Sequence, residues 1–183
     1  MQEDLLEAAA RVLERHGAEH FTTNHVAEAA GASVGSVYQY FPNKAALLVA
    51  LHEREAEATW QALAPLLDAP GVPARERFEE LIVAFFQVQA EAEAHHTALN
   101  DTRASVASTE AFQVFEKKVV SRLESFLREA TGPRERDCAF LAQLAFTVAT
   151  SVGERLTLRE VPKAEAIRVG RATAHMLADA LSL

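Results

Sequence analysis

The sequence predicts an all-α chain of about nine helices arranged in two parts. Three observations carry that expectation. Ala, Leu and Glu dominate the 183 residues, a composition that favours helix. Apolar residues recur three and four apart along most of the chain, and no stretch keeps the strict alternation of a strand. Only seven glycines and six prolines interrupt the pattern. The expected division is residues 1–46 and residues 47–183.

The first helix is expected from Glu3 to His16, with Leu5, Leu6, Ala9, Val12 and Leu13 on one buried stripe and Gly17 at its end. Val26, Ala27 and Ala30 then mark a short second helix, closed by Gly31, which can take the left-handed conformation that stops a helix. Ser33 is a good N-cap for the third helix, because its hydroxyl can accept from an otherwise orphan N–H. Val37 and Phe41 face inward from that helix, flanked by Tyr38, and Pro42 stops it. Phe21 is expected to plug the small core with Val26 and Val37. Asn43 caps the fourth helix, which opens at Lys44 and carries Leu47, Leu48, Leu51, Trp60 and Leu63, with Pro65 as its kink or end.

Residues 68–73 hold two prolines and a glycine and form the clearest break in the chain. A fifth helix, Ala74 to His95, has the strongest period, through Phe78, Leu81, Ile82, Phe85, Phe86 and Gln89. A polar stretch with a loop and a short helix follows it. The next helix runs from Thr109 to Ala130, with Phe112, Phe115, Val119, Leu123 and Phe126 inward. The last two are expected over Arg134–Glu160 and Lys163–Leu181. In the first of these, Cys138, Phe140, Leu141, Leu144, Phe146, Val148 and Val152 lie nearly all round, and such a helix must be covered on every side. Ala142, Ala145, Ala149 and Gly153 allow another helix close to it. The final helix keeps Ile167, Gly170, Ala174, Leu177 and Leu181 on one stripe. Both helices read as a subunit interface, two from each protomer forming a four-helix bundle about a two-fold axis.

Two short helices joined by a tight turn containing Gly form the helix-turn-helix pattern. The second of them suits a DNA groove. Gly35 and Ser36 are small enough to let the backbone approach base edges. Gln39 offers an amide that can pair with adenine, and Ser36 a hydroxyl that suits either kind of base. Tyr40 and Lys44 stand where phosphate oxygens would be met.

The run FTTNHVAEAAGASVGSVYQYFPNKAALLVAL resembles the DNA-binding region of the tetracycline-repressor (TetR) family of bacterial transcription regulators. The resemblance covers about the first quarter of the chain closely; beyond it, only length and helical pattern agree. It implies that Thr23 touches a phosphate, and that Asn24 occupies a place where many members carry a base-reading Arg. Ser33 caps the recognition helix, and Val34, Gly35 and Ser36 form its groove-facing front. Gln39 falls where bases or a thymine methyl are reached, Tyr40 and Lys44 where phosphates are clamped, and Tyr38 at the groove edge. Asn24 lacks the charge usual there. Family members usually carry a basic arm before the first helix; here Gln2, Glu3 and Asp4 stand near it, and the sequence leaves open whether such an arm belongs to the protein.

The net charge of −8 argues against a non-specific nucleic-acid binder. It permits a specific one, since Lys44 is the only charged side chain within residues 29–52. Weak affinity away from the cognate site and a modest salt dependence are expected. A single cysteine excludes an internal disulfide and suits a reducing cytoplasm. No apolar run approaches the roughly 20 residues that span a bilayer, and the N-terminus lacks the pattern of a signal peptide.

Trp60, Phe85, Phe86, Phe112, Phe115 and Phe146 lie on helices expected to surround the middle of the second part, with Gln89, His96, Asn100, Arg103 and Thr147 as polar groups among them. That is the composition of a small-molecule site, and equally of a filled aromatic core. The resemblance implies an effector there, aromatic or lipophilic. Glu91, His95 and His96 have a spacing that could hold zinc, or form a solvated helix end. Cys138 reads as a buried, inert thiol, and no cofactor is expected. The reading is a ligand-responsive regulator, a repressor that binds a palindromic operator in double-stranded DNA as a homodimer. Two other classes stay open: a dimeric small-molecule carrier without DNA binding, and a metal-dependent helical enzyme.

Overall fold

The computed structural model describes residues 1–17, 19–91, 109–132, 137–159 and 161–183. The described residues form eight α-helices and no strand: α1 (Gln2–His16), α2 (Thr23–Ala30), α3 (Val34–Tyr40), α4 (Lys44–Leu63), α5 (Ala74–Glu91), α6 (Glu110–Thr131), α7 (Cys138–Leu158) and α8 (Lys163–Leu181). A 3-10 turn, Ala64–Asp68, follows α4, with Pro65 at its start. Proline lacks the N–H that would continue the α-helical ladder, so the helix tightens and then leaves its course. The polar stretch before α6 lies outside the described residues.

The chain divides into two compact units. One holds Met1–Ala56 with the start of α6 as far as Phe112; the other holds Glu57–Glu91 and Gln113–Leu183.

The first unit closes around Leu5, Leu6, Ala9, Val12, Leu13, Phe21, Val26, Ala27, Val37, Phe41, Leu47, Leu48 and Leu51, all buried. Phe21 is 1% exposed, as a plug between helices should be. Arg54 on α4 reaches Glu3 on α1 at 3.0 Å.

The second unit packs α5 against α8 and α7 around Phe78, Phe86 and Phe126, with Trp60 and Leu63 from α4 in the same core. Phe78 and Phe126 stack at 6.4 Å between centroids. The Arg77 guanidinium lies 5.2 Å from the Phe126 ring and donates to the Leu67 carbonyl. Arg75 bridges α5 to α8, donating to Glu79 at 2.8 Å and to Asp179 at 2.7 Å. On α6, Lys118 pairs with Glu57 and Arg122 with Asp68. The Lys118 ammonium, with the Gln61 amide 2.9 Å away, holds the Glu57 carboxyl below the ordinary glutamate range.

The small residues of α7 and α8 correct one expectation. Ala142, Ala145, Ala149, Gly153, Gly170, Ala174, Leu177 and Leu181 are buried within the protomer, so that stripe is not the subunit surface. The reason is the aromatic ridge of α5. A Cβ on Gly170 would stand 2.7 Å from Phe86 Cβ, and one on Gly153 3.2 Å from Phe85 Cε1. Each helix yields a side chain to admit a ring. The apolar groups left outward are Phe140 (61% exposed) and Leu144 on α7 and Met176 (55%) on α8.

Candidate nucleic-acid interface and sensor core

The turn between α2 and α3 is built by local chemistry. The Thr22 hydroxyl accepts from His25 N at 3.2 Å and starts α2. Gly31 takes the left-handed conformation at φ 64°, where a side chain would be strained. Its N–H reaches Glu28 O at 3.1 Å, and the next N–H, of Ala32, reaches Ala27 O at 2.9 Å. Ser33 then caps α3 through its hydroxyl, which accepts from Ser36 N at 3.0 Å, and the two serine hydroxyls lie 2.8 Å apart. Asn43 Oδ1 accepts from Ala46 N at 2.8 Å and starts α4.

With Val37 and Phe41 turned into the core, the rest of α3 is left outside. Val34, Gly35, Gln39, Tyr38 (50%) and Tyr40 (44%) are exposed, as are Ser33 and Lys44; Ser36 is half-buried. Asn24 is exposed in the first turn of α2, whereas Thr23 beside it is buried. The Thr23 and Tyr38 hydroxyls lie 3.4 Å apart, linking the start of α2 to α3. The Lys44 ammonium stands 5.6 Å from the Phe21 ring centroid. Gly35 has no internal reason to be glycine, since a Cβ there would meet Ser33 Oγ at an ordinary 3.7 Å.

Sequence reasoning passed over the histidines beside this surface. His16 and His25 stack at 5.1 Å, and His25 Nδ1 lies 2.9 Å from the His20 carbonyl oxygen. A carbonyl only accepts, so Nδ1 carries the proton and donates. Positions 16, 20 and 25 follow no single helical period, and only the path between α1 and α2 brings them together.

In the second unit, Trp60 and Phe86 are buried in the core, and Phe85, Phe115 and Phe146 pack against it. Phe85 meets Phe86 edge-on at 5.6 Å and 89°. Gln89 is half-buried one turn beyond Phe85. Phe112 is half-buried near the start of α6 and belongs to the other unit. Thr147 is exposed and lies 3.4 Å from Gln143 Nε2, which also donates to Glu116 at 2.8 Å. His95, His96, Asn100 and Arg103 lie outside the described residues, so the Glu91–His95–His96 grouping does too. Cys138 is buried. Among the described residues no group of three or more His, Cys, Asp or Glu could hold a metal ion, and no helix is long and apolar enough to cross a membrane.

Residues 5–51 match the family described as bacterial regulatory proteins, tetR family. No curated protein matches the chain at the level of sequence. Solved structures match its fold over nearly the full length. A TetR transcription regulator from Haloarcula marismortui is 21% identical, with a TM-score of 0.74 over 98% of this chain and 96% of that one. SmeT, the repressor of the Stenotrophomonas maltophilia multidrug efflux pump SmeDEF, is 21% identical, with a TM-score of 0.69 over 98% and 89%. FadR from Bacillus subtilis, solved with stearoyl-CoA, is 14% identical, with a TM-score of 0.67 over 97% of each. At these identities the likeness establishes the fold, while the match over residues 5–51 covers the helices whose capping and exposure are described above. Residues 5–51 thus match the tetR family of bacterial regulatory proteins, and the described helices share the fold of solved TetR-type regulators.

Proposed function

We propose that the protein is a ligand-responsive repressor that binds a palindromic operator as a homodimer, with residues 1–46 reading DNA and residues 47–183 sensing and pairing. The observation that carries the reading is α3: a capped helix anchored by Val37 and Phe41 whose remaining side chains face outward without an acidic group. On DNA, Val34, Gly35 and Ser36 face the groove, Asn24 and Gln39 read base edges, and Tyr40, Lys44 and Thr23 meet phosphates. Tyr38, tied to Thr23, holds the groove edge, and Ser33 keeps the helix in register.

One such helix reads few base pairs. A two-fold pair doubles the site and sets half-sites roughly 34–36 Å apart or at a multiple of that spacing. The outward Phe140, Leu144 and Met176 supply apolar surface for the pairing. The aromatic core of Trp60, Phe85, Phe86, Phe115 and Phe146 supports a lipophilic or aromatic effector, as do relatives that repress an efflux pump or hold stearoyl-CoA. Gln89 and Thr147 are the polar residues assigned to this site. Effector binding must favour the spacing that does not fit the operator, because equal affinity for both states shifts nothing.

A mobility-shift assay with DNA flanking the gene tests this. Sub-micromolar retardation, roughly −8 kcal/mol or better, that Tyr40→Ala abolishes supports the reading. Absence of retardation at any salt concentration overturns it.

A further inference from the structure

We propose that the side-chain amide of Gln89 is the group that reads the effector, and that the effector is an apolar molecule ending in an uncharged hydrogen-bond donor, a hydroxyl or an N–H. The inference rests on the ligand-sensing reading above and names the chemistry of that same site.

Gln89 Oε1 is buried and has no hydrogen-bond partner among the described residues. A buried carbonyl oxygen left unpaired is costly, so a core that keeps one has a use for it or a partner that comes and goes. No donor among the described residues reaches it. Phe85 precedes it by one turn of α5. Across from both lies Gly153 of α7; a Cβ built there would be 3.2 Å from Phe85 and 3.7 Å from Gln89 Cγ. Two polar side chains of α7 are engaged elsewhere: Thr150 donates to Phe146 O at 2.8 Å, and Gln143 to Glu116. Val152 and Leu156 of α7 pack against the apolar core of this unit.

These surroundings select the ligand's chemistry. An anion has no proton to donate and would face the lone pairs of Oε1. A cation would enter an apolar core without a counter-charge among these residues. A neutral donor on an apolar body satisfies the oxygen and covers the rings. Such a ligand would also bear on Phe85, whose ring rests against Gly153, and so on α7.

The test uses the full chain and a matched set of probes: 2-naphthol, 2-methoxynaphthalene and 2-naphthoate, followed through the fluorescence of the one tryptophan, Trp60, and by melting temperature. The native protein should bind 2-naphthol at least about ten-fold more tightly than either of the others, the scale of a hydrogen bond to an otherwise unpaired buried group. In Gln89→Leu that preference should vanish, and the ligand-free protein should melt no lower than the native one. Equal binding of naphthol and its methyl ether, a preference that survives in Gln89→Leu, or a ligand-free variant that melts lower each overturns the role of Gln89 and leaves ligand sensing standing. Binding of none of the three overturns the proposal and the ligand-sensing reading together. Should Gln89→Leu fail to fold, Gln89→Met takes its place. Failure of both to fold overturns the proposal, because the amide would then be holding the core.

Discussion

The two units of this protein handle aromatic side chains in opposite ways. The first closes on aliphatic packing with only Phe21 and Phe41 as buried aromatics, and leaves Tyr38 and Tyr40 outside on α3. The second gathers Trp60, Phe78, Phe86 and Phe126 inside and leaves Phe140, Leu144 and Met176 outside on α7 and α8. Two helical glycines follow the same division. Gly170 exists for the inside, since Phe86 occupies the place of its Cβ, whereas nothing inside the protein needs Gly35. A glycine within a helix is destabilising, so one without an internal reason points to something outside that must come close.

The largest effect should come from the aromatic core. Phe126→Ala removes a fully buried ring, its stack with Phe78 and the surface under Arg77, and should destabilise by about 3–5 kcal/mol in denaturant unfolding. A loss near 1 kcal/mol would mean that this core repacks freely. Next is Gly170→Ala, whose Cβ collides with Phe86 and should cost about 1–3 kcal/mol, read as a fall in melting temperature. The opposite sign is expected at Gly35→Ala, which should gain about 0.5–1 kcal/mol of stability while weakening operator binding in a mobility shift. Undiminished binding by that variant would remove the contrast between the two glycines.

The smallest effect is electrostatic. Lys118 holds Glu57 below the ordinary glutamate range. The stabilisation it reports is therefore present above the unfolded-state value and is lost as pH falls through the lower, folded one. Lys118→Met should reduce stability by under about 1 kcal/mol at neutral pH, after allowance for solvent screening. It should also flatten that part of the acid dependence of the melting temperature. A variant whose acid profile overlays the native one would show that the pair contributes nothing.

Much of the recognition region was legible from residue types because its determinants are local. Thr22, Ser33 and Asn43 cap whatever helix follows them, Gly31 permits a left-handed turn, and Val37 and Phe41 share a face by spacing alone. The second unit was legible as helices and as an aromatic core, but not in its facing. On α7 apolar residues lie on nearly every side, so periodicity named no inward face, and two of the small residues assigned to a subunit contact, Gly153 and Gly170, turned out to receive Phe85 and Phe86.

By itself the sequence determined the all-helical class, the capped turn and the small core that leaves α3 outside, because each depends on groups within a few residues or on one helical period. Tertiary structure alone decided which face of α7 and α8 turns inward, that His16 meets His25, and that the Gln89 oxygen is enclosed without a partner among the described residues. Those outcomes depend on which surface arrives from a distant part of the chain. A side chain's own type and spacing do not record what will be packed against it.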